Sequence, residues 1–193
     1  MTNPIDLLNQ WLIEERERGA PDPQQAVLST ATKEGIPHNR VVAIREITSQ
    51  SLLFFTQRGS RKVAELRDNP HAAMAFWFEL FEREVIIEGI IEALPEAENN
   101  QYWMNYPRKA QIRFYSYAAT SSQVIASKQA LEDKRKNVEH DYHHKPLPLS
   151  PFYCGFRLKP AKMLFYTYRT DELSDVIVHH YNNNEWSSQL MSP

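Results

Sequence analysis

Arg40-Val-Val-Ala-Ile-Arg45, Leu52-Leu-Phe-Phe-Thr56 and Gln57-Arg-Gly-Ser-Arg-Lys62 follow one another within a single short stretch of the chain. The first piece reads as a strand carrying two arginines, the second as an apolar strand, and the third as a turn opening into a helix. Ser60 stands where it can cap that helix. Free backbone N–H groups, the positive helix end, a hydroxyl and the cations of Arg61 and Lys62 then converge on one small volume. That chemistry suits a phosphate monoester. The competing reading of Ser-Arg-Lys by itself is a solvated basic turn.

Working outward, Asn3-Pro4 starts a helix whose apolar face is Ile5, Leu8 and Leu12. Strands are predicted over 26–32, 38–47 and 51–56, with Lys33–Pro37 a hairpin turn. A helix over 60–67 stops at Asp68-Asn69-Pro70. Strands over 71–78 and 84–94 come next, followed by helices from Pro95 to about Met104 and over 108–117. Ser121-Ser122 is placed to cap a long helix over 123–141. After the extended, proline-rich segment 145–151 come strands over 152–159, 161–168, 175–181 and 186–190, with Asn182-Asn-Asn184 a hairpin turn. Strand mostly follows strand without a crossover helix. That pattern argues against a doubly wound parallel sheet and for a mainly β, α+β chain of about eight short strands: an antiparallel barrel with peripheral helices.

The 193 residues are read as a single domain, 1–193, large enough for a hydrophobic core. A hydrophobic content of 42% with 24% charged residues is that of an ordinary globular protein. The net charge of −2 gives no reason to expect nucleic acid or an acidic membrane as partner. The one cysteine, Cys154, excludes an internal disulfide framework and fits a reducing compartment. Met1-Thr-Asn-Pro-Ile-Asp lacks the basic and apolar regions of a secretory signal, and no run approaches a membrane span, so a cytoplasmic protein is expected.

In order and spacing, Arg40-Val-Val, Phe55-Thr56, Gly59-Ser-Arg-Lys62, Asn69-Pro70, Glu82-Arg83, Ser121-Ser122, Pro146-Leu-Pro148 and Gly155-Phe-Arg157 resemble the pyridoxamine 5′-phosphate oxidase family of flavin enzymes, over almost the whole chain. The resemblance implies the FMN-binding split barrel and a homodimer with flavin sites at its interface. It implies that Arg40, Ser60, Arg61 and Lys62 hold the FMN phosphate, with Val41 and Arg45 on the same strand. It places Phe55, Thr56, Glu84, Thr120 and Tyr166 along the flavin, and Ser121 toward the flavin of a partner subunit. Substrate positions carried over are Arg45, Tyr102, Tyr106, Glu172 and Ser174.

Several of these residues depart from the family pattern. Glu84 and Thr120 replace glutamines, and a carboxylate at Glu84 accepts hydrogen bonds but donates none unless protonated. Arg45 replaces a lysine. Tyr106 and Ala110 stand where an arginine and a serine hold the substrate phosphate. Glu172, Ser174 and Val176 replace the Arg-x-His pair and the arginine that follows it. These changes predict weak turnover of pyridoxamine or pyridoxine 5′-phosphate, unless Arg108 or Arg169 swings in. The expected function is that of an FMN-dependent oxidoreductase acting on a small molecule, with no nucleophilic side chain required. A flavin oxidase for another planar substrate, as in phenazine pathways, and a non-catalytic flavin- or pyridoxal-phosphate-binding protein are the alternatives.

Other clusters read as structure. His140, His143 and His144 lack a clear third metal ligand and fit a solvated helix end, and no metal is expected. His179 and His180 are adjacent on a strand and point to opposite faces. Cys154 reads as a buried thiol. The aromatics Tyr102, Trp103, Tyr106, Phe114, Tyr115 and Tyr117 read mostly as packing, with Tyr102 at a substrate position.

Overall fold

The computed structural model describes residues 3–193; Met1 and Thr2, the head of the stretch read for a secretory signal, lie outside the described residues. The elements are α1 (Pro4–Glu17), β1 (Gln25–Ala31), β2 (Pro37–Ile47), β3 (Leu52–Gln57), α2 (Arg61–Asp68), β4 (His71–Phe78), β5 (Arg83–Ala93), α3 (Glu96–Met104), α4 (Arg108–Tyr117), α5 (Lys128–Asp141), β6 (Tyr153–Thr167), β7 (Asp175–Asn182) and β8 (Glu185–Met191). The strands lie in the order β3-β2-β1-β4-β5-β6-β7-β8, and β3 also pairs with β6. β1 to β6 therefore close an antiparallel six-stranded barrel, which β7 and β8 extend. No helix among the described residues is long and apolar enough to cross a membrane.

Two compact units divide the chain. One comprises the chain up to Phe54, Glu65–Glu92 and Phe156–Pro193; the other comprises Phe55–Ala64 and Ala93–Gly155.

The first unit owes its core to strict alternation along the strands. Ala26 and Leu28 of β1, Met74, Phe76 and Phe78 of β4, and Val85 and Ile87 of β5 are buried, while their sequence neighbours face outward. Burying each large apolar side chain contributes about 1.5–3 kcal/mol. The Asn3 carboxamide oxygen caps α1 by accepting from the Ile5 N–H at 3.0 Å, and Pro4 occupies the first helical position. Its apolar face, Ile5, Leu8, Trp11 and Leu12, is buried, with Trp11 edge-on to Phe165 at 5.1 Å. Asn183 and Asn184 take positive φ values of 52° and 64°, as the β7–β8 hairpin turn requires.

One predicted break is absent. The strands expected over 152–159 and 161–168 are a single strand, β6, running through Pro160. The β6–β7 ladder begins at Lys162, beyond the proline. On the β5 side stands Gly89, where an added Cβ would lie 2.1 Å from the Lys159 carbonyl oxygen and 3.1 Å from the Pro160 Cα. A close backbone approach to a glycine accommodates the proline without ending the strand.

The second unit packs α3 and α4 around Trp103, Ile112, Phe114, Leu147 and Tyr153. The Trp103 indole N–H donates to the Leu147 carbonyl at 3.0 Å, fixing the proline-rich segment onto the helices. The start of the long helix also needs correction. Ser121-Ser122 do not cap it: Ser122 adopts φ 64°, Gln123 N–H turns back to Thr120 O at 3.0 Å, and the helix begins only at Lys128. Its cap is Ser127, whose hydroxyl accepts from Ala130 N–H at 3.2 Å.

Candidate functional site

In the second unit, the predicted phosphate turn is built around Lys62. Gln57-Arg58-Gly59-Ser60 brings β3 into α2, and the Arg58 N–H anchors the turn on Phe152 O at 2.7 Å. The Lys62 ammonium donates to the Thr56 hydroxyl at 2.9 Å and to the Ser60 hydroxyl at 3.3 Å. Thr56 and Ser60 are buried, Lys62 is half-buried, and Arg61 is exposed on the first turn of the helix. The Ser60 hydroxyl, expected as a helix cap, accepts from the lysine, while the Ser60 carbonyl takes the Val63 N–H. A fixed ammonium, an exposed guanidinium and the N-terminal amides of α2 form a donor set that fits a phosphate dianion.

Beside this turn, Gln57 organises residues from the far end of the unit, a role that its position in the sequence did not announce. Its amide donates to the Tyr117 hydroxyl at 3.2 Å, and its carbonyl accepts from Ser121 at 3.2 Å. Ser121, expected to reach a partner's flavin, donates to Gln57 within the single chain. The Thr120 hydroxyl donates to Tyr117 O at 3.3 Å. Phe55 stacks on Tyr153 at 4.8 Å and leans on Tyr102 at 5.1 Å. A Cβ at Gly155 would lie 2.5 Å from the Phe55 ring, so only glycine lets that ring settle onto β6. Tyr106 packs against Trp103 and Tyr153. Arg108, one possible replacement for the missing substrate arginine, donates to Tyr142 O. Cys154 is buried, as expected, and burial pushes its thiol up to about 11.

In the first unit, half-buried Arg40 joins a polar cluster around the buried Thr30 and Glu65. The β1–β2 register sets it opposite Leu28, and its guanidinium donates to Thr30 Oγ1 at 2.6 Å and Leu28 O at 3.2 Å. Glu65, which sequence reasoning passed over, joins them. Its carboxylate accepts from Thr30, lies 2.7 Å from His38 Nδ1 and is 3.4 Å from Arg40. Burial alone would raise its pKa. The Thr30 hydrogen bond and the His38 and Arg40 charges outweigh burial, and the carboxyl titrates below its ordinary value. An acidic residue amid basic and hydroxylic partners leaves no period-based signal, so only the fold reveals it.

Arg45 is exposed at the bulge where the β2–β3 register shifts between Ile44 and Glu46, and Val41 is exposed on the outward face. Glu84 and Tyr166 are half-buried on outward faces of β5 and β6. Glu172 and Ser174 lie in the loop before β7. Ser174 accepts from the Arg169 N–H at 3.2 Å, and the Arg169 guanidinium pairs with Glu172 at 3.2 Å and Asp175 at 2.9 Å. Arg169, the other possible replacement arginine, is held by these carboxylates.

Residues 12–140 match the family described as pyridoxamine 5′-phosphate oxidase. Pyridoxine/pyridoxamine 5′-phosphate oxidases of Trichormus variabilis and Alteromonas mediterranea are 31% and 33% identical, over all of this chain and 89% and 90% of theirs. Among solved structures, PhzG from Burkholderia lata, crystallised with tetrahydrophenazine-1-carboxylic acid, superposes with a TM-score of 0.89 at 25% identity, covering all of this chain and 94% of that one. A pyridoxamine 5′-phosphate oxidase-related, FMN-binding protein from Nostoc punctiforme gives 0.80 at 18% identity, with 100% and 99% coverage, and shares the fold. With the family matched over residues 12–140 and relatives aligned from end to end, this chain belongs to the pyridoxamine 5′-phosphate oxidase family.

Proposed function

We propose that this protein is an FMN-dependent oxidoreductase whose substrate differs from pyridoxamine 5′-phosphate. The observation that carries the reading is the Lys62 ammonium fixed between Thr56 and Ser60 at the start of α2. Charge-assisted hydrogen bonds there favour a terminal phosphate, and so FMN over riboflavin. Ser60, Arg61 and Lys62 are the proposed phosphate ligands; Arg40 and Arg45 of β2 are proposed ligands on the resemblance alone. Phe55, Thr56, Glu84, Thr120, Ser121 and Tyr166 are the proposed flavin neighbours, and Val41 lies on the same strand as the arginines. Bound FMN supplies hydride acceptance from a carbon bearing an amine or hydroxyl, with O₂ as terminal acceptor. The protein's part is to bind, orient and exclude water.

The homodimer reading draws on an outward apolar row across β2, β1, β4 and β5. Val41, Val27, Ala75 and Ile86 are successive cross-strand partners, and Val41 remains 60% exposed in the single chain. Apolar rows of this kind mark interaction surfaces.

The altered substrate positions support a substrate without a phosphate. Tyr106 and Ala110 offer no cation, and Glu172 is a carboxylate paired with Arg169. A second reading, oxidation of a planar polycyclic substrate, draws on the likeness to PhzG. The test is the visible spectrum of the purified protein with FMN, followed by anaerobic mixing with candidate substrates. A flavin spectrum that bleaches with substrate supports an oxidoreductase. Stable flavin binding with no bleaching by any amine, alcohol or dihydro-aromatic indicates a binding protein, and no flavin binding overturns the assignment.

A further inference from the structure

On the outward face of the first unit, β4, β5 and β6 bring together three aromatic rings and a carboxylate. Trp77 and Glu84 are direct cross-strand partners on β4 and β5. Tyr166 lies on β6, and Tyr168 follows the strand's last residue, its N–H held by Glu82 O at 3.0 Å. The Trp77 and Tyr168 rings meet edge to face, 5.5 Å apart at 78°, and Tyr166 lies against Tyr168 at 4.3 Å and 35°. In the single chain Trp77 is 52% and Tyr168 44% exposed, at the end of the outward face whose Ala75 and Ile86 belong to the proposed dimer row, while inward positions on the same strands are filled by Phe76, Phe78 and Phe165.

The charge at this corner is negative. Glu79 accepts the Trp77 indole N–H, and Glu84 is half-buried on the outward face of β5. The nearby cations are engaged elsewhere: Arg169 pairs with Asp175 and Glu172, and Arg83 pairs with Glu14 at 2.5 Å beneath Trp11. The Tyr168 phenol is held above its ordinary value by burial and then by the charges of Glu84 and Tyr166. Aromatic faces at right angles beside a carboxylate attract a desolvated organic cation and repel an anion.

The geometry points to a recognition corner formed by Trp77, Tyr166, Tyr168 and Glu84, which takes an aromatic-sized organic cation lacking a phosphate. This inference rests on the flavin reading for its placement, since Glu84 and Tyr166 are proposed flavin neighbours, and it gives that reading a substrate class. It also separates the substrate from carboxylates of the kind seen with PhzG.

The test is calorimetric titration of the FMN-saturated protein with phenethylammonium, phenethyl alcohol and phenylacetate, which share one ring and differ in charge. Phenethylammonium is expected to bind about tenfold tighter than the alcohol, with phenylacetate weakest. Glu84→Gln is expected to bring cation and alcohol within about twofold of each other, and Trp77→Ala to weaken the cation by about fivefold. Equal affinities, tighter binding of phenylacetate, no binding of phenethylammonium, or an unchanged preference in Glu84→Gln overturns the inference. The visible spectrum of the same samples separates the two proposals. Retained flavin without a cation preference defeats this inference alone, whereas protein that retains no flavin defeats the flavin reading, on which this inference rests.

Discussion

The Lys62 ammonium donates to the Thr56 hydroxyl across 2.9 Å, so the cation at the start of α2 is aimed before any ligand arrives. A lysine free in solution loses substantial side-chain entropy when it grips an anion. Here Thr56 and Ser60 have already restricted it.

Lys62→Met is therefore expected to weaken FMN binding by about ten- to a hundredfold, and Thr56→Val by about three- to tenfold. Quenching of flavin fluorescence on titration measures both. Unchanged affinity in Lys62→Met removes the phosphate turn from the site.

The Glu65 cluster makes a prediction about acid. The folded carboxyl lies below its ordinary value of 4.5. The unfolded chain therefore takes up the proton first as pH falls. The stabilisation is fully present above the unfolded value and is lost as pH drops through the lower, folded one. Glu65→Gln is expected to flatten the fall of melting temperature as the pH drops below the ordinary carboxylate value, and to cost about 1–3 kcal/mol at neutral pH, where the half-buried Arg40 and buried Thr30 lose their carboxylate partner. Parallel acid limbs for the two proteins would show that the cluster does not carry the effect.

Cys154 is expected to be inert. Its thiol is buried and pushed up to about 11, so at mildly alkaline pH the thiolate is scarce and inaccessible. A disulfide dye should leave the native protein unlabelled and react once denaturant is added. Rapid stoichiometric labelling of the native protein would contradict this burial.

Turnover of pyridoxamine 5′-phosphate is expected to be at least about a hundredfold less efficient than in ordinary family members, because the proposed substrate-phosphate positions Tyr106 and Ala110 carry no cation and Glu172 puts a carboxylate where an arginine is expected to steady the substrate. Arg108 donates to Tyr142 O and Arg169 pairs with two carboxylates, so either arginine would give up these contacts to compensate. Steady-state kinetics decide it: efficiency within tenfold of a typical member, or a Glu172→Arg change that gains nothing, counts against the altered-pocket reading.

Most of the barrel was legible in the chain because strand alternation and helix stops are local. The helix over 108–117 and the strand over 71–78 follow directly from such patterns. Pro160 was misleading because the residue that accommodates it, Gly89, lies far away in sequence. The start of α5 was misplaced because two serines earlier in the chain offered an equally good local cap. At the candidate site, the turn from β3 into α2 is contiguous, so the strand-to-helix change and the grouping of Ser60, Arg61 and Lys62 were readable locally. Gln57, Glu65 and the meeting of Trp77 with Tyr168 depend on strand register, which a linear reading does not supply.

On β4, Phe76 and Phe78 face the core while Trp77 between them faces out; on β5, Glu84 faces out beside buried Val85. Stability and recognition are thus written on alternate letters of the same strands. A substitution at an outward letter can retarget the chemistry with little effect on the barrel, and one at an inward letter can weaken the barrel without changing what is recognised. A lineage built this way can exchange one substrate for another in single steps while every intermediate still folds.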